Sequence, residues 1–430
     1  MTVSVKAPTS TTGSIQLNGS DVLTIDSSGN LTAPNNLTVT DDATINGLTV
    51  GKGSGNVATN TALGSDALYS NTTGSNSTAV GYQALYDNTT GDNNTAIGTF
   101  ALSNNTVGDR NVAVGYNSLF NCNPLSNTDM YNTAVGYATM YSNTTGIENT
   151  ALGNSALYFN TTGANNTAIG NRALQNNTTP SNLTAVGYQA LYANTTGLRN
   201  EAYGYSALRS NTTGSDNFAA GYEALYDNTT GMANVAIGRN TLANSNSDYN
   251  TAVGFNCMLN LTSGSNNVAL GINAGNLLTT GSQNITLGTN SNPSGATVTG
   301  QCTLGSTSIT NLRCNDTSIS SLSDARDKTN VVDIPLGLDF INKMRPVAFD
   351  WDRRDGSMQG AKDFGFIAQE LKTIQDETAY AEHLRLVHDD NPEKLEADPM
   401  KTYPVLIKAI QELSAKVDAL QTEINVLKGE

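Results

Sequence analysis

Charge, tryptophan, histidine and cysteine are all scarce in this 430-residue chain. Only 14% of its residues are charged, where about a quarter is usual for a soluble domain. The 22 Lys and Arg are outnumbered by 37 Asp and Glu, leaving a net charge of −15. Without a basic surface to meet phosphates, a nucleic-acid partner or an anionic membrane is excluded. Two His and four scattered Cys make neither a zinc-ligand set nor a disulfide scaffold, so no metal and no cofactor is expected. Apolar runs are short as well. None approaches the roughly 20 residues that span a bilayer. The opening MTVSVKAPTSTTGS lacks the apolar core of a secretory signal. The expectation is a soluble protein assembled in a cytoplasm, with no membrane insertion. Its many Asn-x-Ser/Thr triplets are then a by-product of composition and not glycan sites.

The charge that exists is unevenly placed. Residues 51–300 hold 17 charged side chains, 11 acidic and 6 basic, whereas residues 323–430 hold 35, 21 acidic and 14 basic. Trp351, His383 and His388 also fall in the second block. A shift of that size predicts a domain boundary near residue 320.

The first block is a repeat. Asn-Thr-Ala-Val-Gly recurs with its Gly at 64, 81, 98, 115, 136, 153, 170, 187, 204, 221, 238, 254, 271 and 288, and eleven of the thirteen intervals are 17. One interval is 21, where Asn121–Tyr131 carries an insertion, and one is 16. A second marker, Asn-Thr-Thr-Gly, follows ten residues later, as at Gly74, Gly91 and Gly146. Two turn signals and two short apolar segments per unit predict a β-solenoid coil. Ala sits two before the Gly, and a β-branched residue or Leu sits one before it. Ala-Leu follows three and four positions after it, as in Ala84-Leu85. Read as strands, adjacent apolar residues point to opposite faces. One face fills the coil interior, and the other needs a partner, most simply another copy of the chain. Asn stands four before the Gly in 12 of 14 units, which predicts a ladder of stacked amides that fixes register. With strands about 4.8 Å apart, thirteen steps give a rod on the order of 60 Å.

These units resemble the head repeats of trimeric autotransporter adhesins, and still more the NTAVGYQAL…NTTG repeats of phage tail-fibre proteins. The resemblance covers residues 56–290 and implies a trimer. The 17-residue spacing is longer than the adhesin unit. Residues 1–55, with strand-like runs Val22–Ile25 and Leu37–Val39, are an attachment end or an extension of the shaft. Residues 56–292 form the solenoid, and 293–322 are a linker.

From residue 323 mixed strand and helix signals appear. Val347–Trp351 alternates as a strand, and Leu336–Met344 carries a helical pattern. Ser323-Asp324-x-Arg326-x-Lys328, Pro346-Val347, Gly365-Phe366-Ile367-Ala368-Gln369-Glu370 and Ile407-Lys408-Ala409-Ile410-Gln411-Glu412-Leu413 follow in order. Residues 323–430 resemble the intramolecular chaperone domain that ends phage endosialidases, tail fibres and neck appendages. That resemblance implies an α+β domain that trimerises, guides folding of the upstream β-structure and then cuts itself off. Carried over, Ser323 is the nucleophile, Lys328 the base and Leu322–Ser323 the scissile bond. This is single-turnover Ser-Lys self-cleavage, with no other enzyme activity. A Ser hydroxyl needs a base within reach, and a Lys serves only if its pKa falls from about 10.4. Attack from the same chain and attack from a neighbour are both open. Asp324 and Arg326 either position the loop or form an ordinary surface ion pair. No His-based triad is visible.

Tyr403, Leu406, Ile410, Leu413, Val417, Leu420, Ile424 and Leu427 form a heptad seam for a coiled coil. Its β-branched and Leu pattern leans to two strands, while the resemblance implies three. Among the cysteines, Cys257 takes a small Ala slot as a buried hydrophobe, Cys122 starts the insertion, and Cys302 and Cys314 lie in the linker.

The sequence thus reads as mainly β: a trimeric solenoid of 17-residue coils with an α+β chaperone domain ending in a coiled-coil helix. The function expected is a virion tail fibre or spike, assembled in the host cytoplasm, with other tail proteins and a host surface receptor, glycan included, as partners. A cellular trimeric adhesin is the alternative, though neither signal nor anchor is visible. A glycan-degrading tailspike ranks lower, because the repeat block shows no recurring pair of carboxylates. Receptor contact is expected at the insertion and its neighbouring Tyr side chains. Tyr recurs one or five positions after the Gly, as at Tyr82 and Tyr86, where it reads either as a sugar-stacking surface or as a ladder between coils.

Overall fold

The computed structural model describes residues 13–17, 20–25, 31–32, 42–45, 48–306, 309, 323–354, 359–389 and 395–429. The chain divides into two compact units after Ser181. In the first, three-residue strands at Thr61–Leu63, Thr78–Val80, Thr95–Ile97, Val112–Val114, Thr133–Val135, Thr150–Leu152 and Thr167–Ile169 pair in parallel. In the second, eight strands from Thr184–Val186 to Cys302–Leu304 do the same. The register places Ala on Ala, as Ala79 on Ala96. Both units therefore carry the β-solenoid that the period predicts. The last of these strands is followed by Gly305, one further 17-residue step past Gly288. Ahead of the coils, Ala43–Ile45 and Leu48–Gly51 form a hairpin that pairs antiparallel with Thr61–Leu63 and so covers the free edge of the first coil. The Asp42 carboxylate accepts the backbone N–H groups of Lys52 (2.6 Å) and Gly53 (2.9 Å) beside it. Of the two early runs, Val22–Ile25 lies in strand Ser20–Ile25. Leu37–Val39 lies outside the described residues.

Each coil is tightened by two backbone devices. At the repeat Gly, coils approach so closely that a Cβ on Gly153 would stand 2.6 Å from the Gly170 carbonyl oxygen, and its φ is +128°. Three further positions per coil are left-handed although most carry side chains, for example Asn76 (φ 55°), Gln83 (φ 52°) and Leu85 (φ 53°). Such backbone costs an L-residue about 1–2 kcal/mol. Neighbouring coils hold it in place: Gln83 N–H donates to the Ser65 carbonyl at 3.0 Å, and Leu85 N–H to the Ala101 carbonyl at 3.0 Å.

This corrects the two-faced reading of Ala-Leu. Ala84 and Leu85 are both fully buried. They lie in a turn whose left-handed Leu swings back inward, so the alternation of a strand does not apply. The strand itself keeps its alternation: Ala96 is buried, and Ile97 is 40% exposed.

The predicted amide column is present. Asn111 Nδ2 donates to Asn94 Oδ1 (3.2 Å), and Asn149 Nδ2 to Asn132 Oδ1 (3.3 Å). A second column, read from sequence only as a turn signal, runs through the Asn of Asn-Thr-Thr-Gly. Asn88 Nδ2 donates to Asn71 Oδ1 (3.0 Å), and Asn105 Nδ2 to Asn88 Oδ1 (3.1 Å). Cys122 occupies the next slot of that column and is fully buried, with its thiol pushed up to about 12 by burial. Pro124 is buried too. The insertion is therefore exposed only in part, at Asn123, Leu125, Ser126, Asn127, Asp129 and Tyr131. Cys257 is buried as expected, Cys302 is exposed, and Cys314 lies outside the described residues.

The C-terminal segment contains α1 (Leu338–Ile341), the hairpin Val347–Asp350/Lys362–Gly365, α2 (Ala368–Asp376), α3 (Ala381–Leu384) and α4 (Tyr403–Lys428). Phe340, Leu371, Leu384, Leu386, Val387 and Val405 form its core. The helical pattern at Leu336–Met344 yields only one turn. Pro335 and Gly337 bound it at one end, and Asn342–Met344 leave the helix before Pro346.

Asn149 tests the amide columns. It is fully buried, donates to the Gly163 carbonyl (2.8 Å) and receives Asn166 N–H on its oxygen (3.0 Å). Asn149→Ala should destabilise the chain by about 2–3 kcal/mol by stranding these partners. Asn154→Ala, at an exposed position, should stay within about 0.5 kcal/mol. Urea unfolding compares them, and equal midpoints would contradict a structural role for the column.

Candidate functional site

Ser323 and Lys328 flank a single 3-10 turn, Ala325–Asp327. Asp324 caps it, accepting the Arg326 backbone N–H at 2.9 Å. The same carboxylate takes the Arg326 guanidinium in a fork, from Nε at 3.0 Å and from Nη2 at 2.6 Å. The guanidinium first, and then the backbone N–H, holds the Asp324 carboxyl below the usual carboxylate range. A depressed carboxyl stabilises the turn above its unfolded pKa of about 3.9, and this is lost as pH falls through the lower folded value. The turn reverses the chain, so that Lys328 Nζ donates to Ser323 Oγ at 2.6 Å and to the Ser323 carbonyl at 3.2 Å. The four residues singled out from sequence thus form one constellation. Leu322 lies outside the described residues. Ser323 to Lys328 are all exposed, so no other part of the described chain covers the pair. His383 and His388 are exposed and stand apart from it in sequence and element.

Two interactions that sequence reasoning missed hold the surrounding framework. Arg345, just before Pro346, pairs with Glu370 of α2 through two guanidinium nitrogens, Nε and Nη2, Nε lying 3.0 Å from Oε2. This pair joins the two quoted motifs and holds the Glu370 carboxyl low. The Glu412 carboxylate of α4 accepts the Leu338 N–H at 2.8 Å, at the start of α1. Gly337 leaves room for it: a Cβ there would lie 2.3 Å from that carboxylate and would push the Glu412 side chain aside. A charged side chain facing a Gly-x-x-Phe turn from 74 residues away leaves no local signature.

Helix α4 uses one face and leaves another free. Val405 and Ala409 are buried against the domain. The heptad seam is not, with Ile410 66%, Leu420 57% and Leu427 86% exposed.

In the coils, the Tyr slots form ladders. Tyr69 stacks on Tyr86 (5.1 Å, 4°) and Tyr141 on Tyr158 (5.2 Å, 9°). Where Arg209 replaces a Tyr, its guanidinium sits 5.6 Å from Tyr192 and 5.5 Å from Tyr226. At the insertion, Thr128–Asp129 pairs in parallel with Gly108–Asp109, and Arg110 bridges Asp129 and the Tyr131 hydroxyl. Leu125 is fully exposed at its tip.

Among the described residues no group of His, Cys, Asp and Glu is placed to hold a metal ion, and no helix is long and apolar enough to cross a membrane.

The profile of a family described as chaperone of endosialidase matches residues 323–380. The match begins at Ser323 and takes in the turn, α1, the hairpin and α2. No curated protein matches the chain.

Glu412→Ala should leave the Leu338 N–H unpaired and lower stability by about 1–2 kcal/mol, while Glu412→Gln, which keeps an acceptor, should lose less. Urea unfolding of both variants checks this. Identical losses would assign the effect to charge and not to the cap.

Proposed function

We propose that the chain is a tail fibre or spike protein of a phage, a homotrimer whose C-terminal domain aligns three chains and then cuts itself off between Leu322 and Ser323. The observation that carries this is the coincidence of the family match with the turn: the chaperone profile starts at the residue whose hydroxyl receives the Lys328 ammonium. The division proposed is an attachment or shaft segment at 1–55, the shaft at 56–292, a linker at 293–322 and the self-releasing chaperone at 323–430.

In the chemistry proposed, Lys328 removes the Ser323 Oγ proton as Oγ attacks the Leu322 carbonyl. The C–N bond breaks, nitrogen takes that proton, and Leu322 is left as an ester on Ser323. Water then hydrolyses the ester, freeing the Leu322 carboxylate and the Ser323 hydroxyl. Attack by Ser323 of a neighbouring chain fits the same roles. Asp324 and Arg326 act as positioning residues that hold the turn. A Lys becomes a base when it loses water. Here the pair is exposed on the single chain, so burial by neighbouring chains is the proposed trigger, and cutting waits for assembly. Support for association comes from the uncovered α4 seam and from the outward residues of the strands, such as Ile97 and Leu152, which leave apolar surface for other copies.

Mass spectrometry of the expressed full chain should find a new N-terminus at Ser323. Ser323→Ala and Lys328→Met should each give one uncut band, and normal cutting in either would remove that residue from the mechanism. Paired Leu413→Asp and Leu420→Asp changes on the exposed seam should abolish both trimer and cutting, read by light scattering and gel.

After release, the shaft is proposed to work in the virion as a structural and host-attachment element, contacting other tail proteins and a surface receptor. The insertion, with exposed Leu125 and the Arg110–Tyr131 pair, is the proposed contact. Deleting four of its residues to restore the 17-residue spacing should leave the trimer intact and reduce adsorption to host cells. Unchanged adsorption would move the contact elsewhere.

A further inference from the structure

The aromatic column one position after the repeat Gly is closed wherever it is interrupted, with one exception in the first unit. There the slots are Ser65, which ends the column before its first ring, and then Tyr82, Thr99, Tyr116, Tyr137, Asn154 and Asn171. At Thr99 the neighbouring Phe100 fills the gap, edge-on to Tyr82 (5.3 Å) and Tyr116 (6.2 Å). In the second unit Arg239 takes a slot and lies 5.3 Å from Tyr222 and 5.9 Å from Phe255. Tyr137 stacks on Tyr116 through one face (5.4 Å, 14°). Beyond its other face come only the exposed amides Asn154 and Asn171. At 55%, Tyr137 is more exposed than any other Tyr stacked in this column.

Arg172 adjoins Asn171. Of the five Arg in residues 51–300, Arg110 and Arg199 pair with Asp129 and Asp216, and Arg209 and Arg239 lie in aromatic stacks. Arg172 is exposed and has no ion-pair or side-chain hydrogen-bond partner among the described residues. An open aromatic face, two amides and an unpaired guanidinium therefore lie on successive coils, over about 10 Å at two strand spacings.

We propose that Tyr137, Asn154, Asn171 and Arg172 form a binding shelf for an acidic hexopyranose unit of a surface polysaccharide. The apolar face of the sugar ring covers the free face of Tyr137. The amides offer donors and acceptors to neighbouring hydroxyls. The Arg172 fork matches a carboxylate. The shelf is a receptor contact separate from the insertion proposed above, and it rests on the receptor-binding reading for its biological role but not for the binding itself.

Calorimetric titration of the full chain with tetragalacturonate and with neutral cellotetraose tests the shelf. The acidic oligosaccharide should bind about tenfold more tightly. Arg172→Gln should erase that preference and keep the neutral affinity. Tyr137→Ala should weaken both ligands about tenfold, while Tyr137→Phe, which keeps the ring, should not. Absence of binding at millimolar oligosaccharide, or binding that Arg172→Gln and Tyr137→Ala leave unchanged, would overturn the proposal. Adsorption of virions is a separate readout. Sugar binding with normal adsorption of the Tyr137→Ala virion keeps the shelf and rejects its receptor role, whereas lost adsorption without sugar binding rejects the shelf.

Discussion

Backbone hydrogen bonding from coil to coil, carried through the turns as well as the strands, is the constraint on which the rest depends. The strands are three residues long, too short to hold anything alone. The bonds continue beyond them because the left-handed turn residues aim their N–H groups at the coil before or the coil after, while Ala84 N–H between two of them turns back to the Gly81 carbonyl of its own coil. Gln83 donates to Ser65, behind it, and Leu85 to Ala101, ahead of it. Glycine is needed where backbones touch, and Asn is needed inside because the turns leave carbonyls facing inward. Asn94 meets the Gly108 carbonyl at 2.8 Å, and Asn88 meets that of Gly91 at 3.1 Å. The interior is therefore narrow, built of Ala, Leu and paired amides in place of a broad apolar core.

That construction gives strong local order and weak discrimination of register. Ala stacks on Ala and Asn on Asn, so a slip by one whole coil restores nearly every contact. Only the irregular points resist it: the insertion at Asn121–Tyr131, the 16-residue interval, and slots such as Leu261 and Leu278, which replace an amide in the second column. A chain of this kind benefits from an external device that sets alignment before the coils close. The C-terminal segment has the contrasting chemistry: a mixed core around Phe340 and Leu371, ion pairs such as Arg345–Glu370, and a long helix with an unused apolar seam.

Much of this was legible in the sequence because repetition turns a weak local signal into a strong one. The 17-residue period, the inward Ala and the first Asn column all follow from periodicity. Ala-Leu reads wrongly from sequence because a strand's alternation does not hold where the backbone is left-handed, and nothing in a Leu announces positive φ. The second Asn column was hidden by its turn motif, and Cys122 by its place in the insertion. Ser323, Asp324, Arg326 and Lys328 were readable as a group because they are close in sequence. Glu412 at the start of α1 was not, since that contact exists only once α4 packs through Val405 and Ala409.

In the role proposed for it, the C-terminal domain is needed to align the coils but not to keep them aligned. Residues 1–322 expressed alone should aggregate, whereas the same fragment released from the full chain by its own cleavage should remain soluble and trimeric by light scattering. A soluble trimer of residues 1–322 from direct expression, with the same unfolding midpoint as the released fragment, would contradict it.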